Sequence, residues 1–89
     1  MLQTPYICNM RLIKQIPHEH FLVQLHHYNN KYILSITLDE YEQSFKVPSE
    51  NVFNTDLLET ALSSEFYSAC LQDFLNMRTR WLKIQQQLQ

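Results

Sequence analysis

Four histidines, two cysteines and a small group of acids are the side chains in this sequence that could ligate a metal or move a proton. His18 and His20 form an H-x-H pair, which an extended backbone turns to one side. A zinc site needs three or four ligands. His26 shares strand parity with His20, but six residues of strand would carry it about 20 Å away. His27 points to the opposite face. Glu19 adds at most a weak, adventitious ligand. Neither Cys8 nor Cys70 has a nearby partner in C-x-x-C or C-x-x-H spacing. The expectation is therefore no bound metal and no cofactor.

Nucleophilic chemistry fares no better. Cys70 falls within an apolar helical stripe, where a thiol is inert packing. Cys8 alternates onto an apolar strand face. Ser63 and Ser64 read as helix caps. Asp39, Glu40 and Glu42 cluster in a turn, where solvation explains them, and no pocket-forming sequence surrounds them. No catalytic residue is assigned, and the chain is expected not to be an enzyme.

The absence of glycine from all 89 residues reinforces this. Ordinary usage of about 7% would supply roughly six. Glycine serves where a backbone must adopt positive φ or approach a ligand closely. The Rossmann turn, the P-loop and the α/β-hydrolase elbow all require it. These three sites are excluded.

Composition sets the frame. A hydrophobic content of 45% with 18% charge describes a foldable globular chain, not a disordered one. The net charge of −2 is too small to point to nucleic acid or an anionic membrane. No apolar run approaches the roughly 18 residues of a membrane span. Met1-Leu2-Gln3-Thr4-Pro5 lacks a basic region followed by an apolar stretch, so no secretory leader is expected. Two cysteines far apart in sequence read as reduced, buried thiols, which makes the cytoplasm the default location.

The elements follow from periodicity. Residues 21–28 and 31–38 flank Asn29-Asn30, and asparagine is the best non-glycine residue for a two-residue turn with positive φ. Closing that turn pairs His27 with Tyr32, Leu25 with Leu34, Val23 with Ile36 and Phe21 with Leu38. This face is almost wholly apolar. The opposite face, with Tyr28/Lys31, His26/Ile33, Gln24/Ser35 and Leu22/Thr37, is mixed. A further strand is expected over 43–47, with Phe45 and Val47 joining the apolar face. A first strand is expected over 6–13, joined to the hairpin through Pro17-His18-Glu19-His20. After Pro48 the period becomes helical. Asn54-Thr55-Asp56 offers caps, Asp56 to Glu59 resembles a capping box, and Ser63-Ser64 is a possible restart. Tyr67, Cys70, Phe74, Met77, Trp81, Ile84 and Leu88 recur at spacings of three and four, a heptad-like seam widened by Leu71, Leu75 and Leu82.

The expected fold is α+β: one domain over 1–89, with a three- or four-stranded antiparallel meander in 1–48 and a helical segment in 54–88 packed on one sheet face. Lengths add a consequence. A helix from Ser64 to Leu88 runs about 37 Å, whereas an eight-residue strand covers about 26 Å. Trp81, Ile84 and Leu88 should therefore overhang the sheet, unless the helix breaks and folds back. Together with Leu22, Tyr28 and Ile33 on the wetter sheet face, they are the candidate interface. The function expected is a protein-binding module, an inhibitor, immunity factor, adaptor or assembly chaperone. Its partner is a protein, with a homodimer through the C-terminal helix as one possibility. The alternative is a small nucleic-acid-binding or regulatory protein using Arg78, Arg80 and Lys83, although three charges would neutralise few phosphates.

Overall fold

The computed structural model describes residues 10–88. Four strands, β1 (Arg11–Ile16), β2 (Leu22–Tyr28), β3 (Lys31–Leu38) and β4 (Tyr41–Pro48), form one antiparallel sheet in the order β1-β2-β3-β4. A 3-10 turn (Ser49–Asn51) leads to helix α1 (Thr55–Ala61) and then to helix α2 (Ser64–Gln87). The fold is α+β, a four-stranded meander followed by a long C-terminal helix that packs against β4.

The central hairpin has the register its side chains require. Leu25 lies opposite Leu34, Val23 opposite Ile36 and His27 opposite Tyr32. The turn residues Asn29 and Asn30 have φ of 53° and 62°. These are left-handed values that asparagine tolerates better than most residues. Asp39, at φ 56°, does the same for the β3–β4 turn. There Phe45 pairs with Leu34 and Val47 with Tyr32, so both join the apolar face. β4 begins two residues earlier than expected and ends on Pro48. A missing N–H is tolerated there because β4 is an edge strand.

The first strand departs from expectation. It spans Arg11–Ile16, not 6–13. Residues 6–9 of the expected strand, with Cys8, lie outside the described residues, and Met10 is not in the strand. Within the strand the register slips between Leu12 and Lys14, a bulge that reverses strand parity at Ile13. Lys14 and Ile16 then lie opposite Leu25 and Val23 on the core side.

Ile16, Phe21, Val23, Leu25, Leu34, Ile36, Cys70 and Phe74 form the buried core. The helical segment is broken at Leu62-Ser63. The expected capping box is not used. Instead the Asn54 side chain accepts from Leu57 N–H at 2.8 Å, and Ser63 Oγ accepts from Phe66 N–H at 3.2 Å to start α2. Asp56 and Glu59 both bind Lys14 Nζ at 2.9 Å, strapping α1 to β1.

Candidate interaction surface

α2 runs down β4 and then past it. Near its start Phe66 meets Phe45 edge-on, with ring centroids 5.6 Å apart. One turn on, Gln43 Nε2 donates to the Cys70 carbonyl at 2.9 Å. Phe74 is 1% exposed and packs on Phe21 at 5.6 Å. Arg78 then reaches Asp39 in the β3–β4 turn at 3.1 Å. Among the described residues this is the last bond between α2 and the sheet. The seam that sequence spacing marked out therefore divides in two. Cys70 and Phe74 are core, with Tyr67 and Met77 packed beside them. Trp81, Ile84 and Leu88 are 45%, 44% and 76% exposed. The helix does break near Ser63, but its second half does not fold back over the sheet. Leu71, Leu75 and Leu82, which widen the stripe, are also exposed.

At the base of this projection the helix and the β3–β4 turn enclose an open trough of about 560 Å³. Met77, Trp81 and Ile84 form one wall and Tyr41 with Glu40 the other, with Arg80 at the rim. An aromatic pair, aliphatic anchors and one charge of each sign are the materials of a protein interface.

The other candidate interface residues lie on the opposite face of the sheet and do not join this surface. Leu22 is exposed and Tyr28 half-buried. Ile33 lies on the expected face but is 7% exposed, forming with Tyr28 part of the lining of a shallow polar groove across that face rather than a projecting apolar anchor. It sits on a central strand between His26 of β2 and Lys46 of β4, and cross-strand neighbours crowd it from both sides. Of the basic group, Arg78 is engaged with Asp39, while Arg80 and Lys83 are exposed.

The chemistry-bearing residues are dispersed. His18 Nδ1 accepts from the His20 and Phe21 amides at 3.1 and 3.3 Å, and its ring lies on Phe21 and Tyr67. That bonding puts its proton on Nε2 and makes it a loop-former. His20 is exposed beside Glu19. His26 is on the far sheet face, and His27 on the near one. Among the described residues no three His, Cys, Asp or Glu side chains gather as a metal would need.

One pairing had no visible signal in the sequence. His27 Nε2 and Ser49 Oγ are 2.9 Å apart. They lie 22 residues apart in sequence and meet only because β4 ends beside the hairpin turn. A hydroxyl on an imidazole is the nucleophile–base geometry. Here the other ring nitrogen has no hydrogen-bond partner among the described residues to orient it. Ser49 also donates its N–H to the Asn30 carbonyl at 3.0 Å. The pair pins the 3-10 turn to the hairpin.

Among the described residues, three groups are shifted in pKa. Burial pushes the Cys70 thiol up, with Asp73 adding to it, so the thiol stays protonated and unreactive. Burial likewise raises Tyr67, helped by Glu59 and Cys70. The hydrogen bonds that the Lys14 ammonium donates to Glu59 and then to Asp56 raise its pKa.

No protein-family model, curated protein or solved structure matches this chain. Among the described residues, no helix is long and apolar enough to cross a membrane.

Proposed function

We propose that this chain is a small, non-enzymatic protein-binding module. Its docking surface is the projecting half of α2 together with Tyr41. One observation carries the reading: Trp81, Ile84 and Leu88 continue the helical seam beyond the sheet and remain substantially exposed. Spacing of three and four along a free helix fits a partner helix with its own apolar stripe. A second copy of the chain is the simplest such partner, because a two-fold arrangement lets one stripe cover another. An antiparallel pairing is favoured, since a parallel one would set Arg80 and Lys83 of the two copies side by side. With so few anchors set against the entropy of association, the contact is weak, in the micromolar range. The roles this suits are inhibitor, immunity factor, adaptor or assembly chaperone. Nucleic-acid binding has less support, because Arg78 is held by Asp39.

Trp81 is the only tryptophan in the sequence, so its emission reports directly on this surface. Sedimentation over a tenfold range around 10 µM should show the mass rising with concentration, with Trp81 emission moving to the blue. Ile84→Glu should abolish both changes and leave the fold intact. A monomer with unchanged emission throughout removes the second copy as occupant. A cell-derived partner that Ile84→Glu binds as well as wild type would remove the helix surface altogether.

A further inference from the structure

A second opening lies between the two helices and the sheet, at the opposite end of α2 from its projecting half. The two helices diverge at Leu62-Ser63. Lys14 draws α1 toward β1, while α2 follows β4 toward Asp39. Between them, over the end of the sheet nearest the Asn29-Asn30 turn, a wedge of about 200 Å³ remains. Leu34, Phe45 and Val47 form its floor, and Leu58, Leu62 and Phe66 its roof. Leu25 and the ring of Tyr32 complete the lining, which presents no polar surface to the opening. The edge-on contact of Phe45 with Phe66 props the sheet and α2 apart on one side.

Size and chemistry together define an occupant. Water in the wedge finds no polar partner on the protein and can bond only to other water at its open side. A charged or strongly polar molecule would lose its hydration with no bond in return. An engineered cavity of about 150 Å³, lined by Leu, Ile and Phe, stays dry and admits benzene. This wedge is of comparable volume and lined mostly by the same residue types, with Tyr32 added, but it is open on one side. Phe45 is 42% exposed, so the wedge opens toward the β4 edge and has a route of entry. We propose that it is a binding site for one small uncharged hydrocarbon-like molecule, the size of an aromatic ring with a short alkyl chain. The site stands on the wedge alone and is independent of any partner on α2.

The probe is n-butylbenzene, titrated into the full chain with the leucine and valine methyl groups observed by NMR. Saturable shifts are expected at Leu34, Val47, Leu58 and Leu62, with Trp81 emission unchanged. Hexanoate, of similar length but charged, should produce none. Leu58→Phe fills the wedge from the roof and should abolish the butylbenzene shifts. If that variant does not fold, Val47→Phe fills it from the floor. No methyl shift in wild type up to the solubility limit overturns the proposal. So do shifts confined to the Trp81 trough, equal shifts with hexanoate, or undiminished binding in a folded, filled variant.

Discussion

Alanine substitutions along α2 should reveal a step in stability between Met77 and Trp81. Phe74 is 1% exposed and packs on Phe21. Removing such a ring costs about 3–5 kcal/mol through lost transfer energy and the cavity left behind. A chain of 89 residues has a total stability of roughly 4–13 kcal/mol. Phe74→Ala should therefore lower Tm by at least about 12 °C, at about 4–8 °C per kcal/mol in a domain of this size, or abolish cooperative unfolding. Ile84 lies on the same stripe but is 44% exposed. Its truncation removes surface that is largely wet already, and alanine is the better helix former by a few tenths of a kcal/mol. The expected cost is about 1 kcal/mol or less. Urea unfolding followed by circular dichroism, at concentrations too dilute for self-association, measures both. At higher concentration the Ile84→Ala cost should grow, because association adds stability to wild type by mass action. If Ile84→Ala in dilute solution costs as much as Phe74→Ala, the second half of α2 is core and the reasoning from its exposure fails.

Asn30→Gly should be neutral or stabilise the chain by up to about 1 kcal/mol, since Asn30 holds φ 62° and glycine adopts that angle without strain; a fall in Tm would refute the turn geometry. Cys70, Tyr67 and Lys14 all have raised pKa values, so the folded chain keeps protons that the unfolded chain releases. Their contribution to stability is intact below pH 9.0 and falls as pH climbs past 9.0, 10.0 and 10.5, the ordinary values of the three groups in that order. Denaturation midpoints measured from neutral to alkaline pH should show this decline, and Lys14→Met should remove its most alkaline part. EDTA should leave Tm unchanged, because the histidines are scattered across the sheet and its loops; a drop of several degrees would reveal a metal contributing to folding.

What could be read from the chain depended on whether a signal was local. The hairpin was legible because Asn29-Asn30 specifies its turn and alternation specifies its register, and both act over a few residues. The overhang was legible because it follows from comparing two lengths. The bulge near Ile13 was not, since Leu12-Ile13-Lys14 alternates as well without a bulge as with one. Only pairing with β2 reveals the slip. The burial of Ile33 is not legible for a related reason. Parity puts it on the mixed face, but its burial depends on His26 and Lys46 arriving from two other strands. The meeting of His27 with Ser49 required the register of β4. The wedge under α1 required the direction in which Lys14 pulls that helix. None of these is encoded within a window of sequence.

A chain without glycine has few ways to bring bare backbone against a ligand, so its recognition falls to side chains. Among the described residues, the turn positions with positive φ are filled by Asn29, Asn30 and Asp39, and Asp39 adds the ion pair that fixes α2 over the β3–β4 turn. That anchor ends the covered part of the helix at Arg78. Beyond it, polar residues at 81, 84 and 88 would cost the folded monomer little and would improve its solubility. Trp81, Ile84 and Leu88 stand there instead, on the stripe that Cys70 and Phe74 occupy within the core. Within one chain this apolar run brings little stability and a risk of aggregation. On the reading proposed above, its energetic return comes when a second surface covers it, and the projecting helix, rather than the scattered histidines, is the surface to test first.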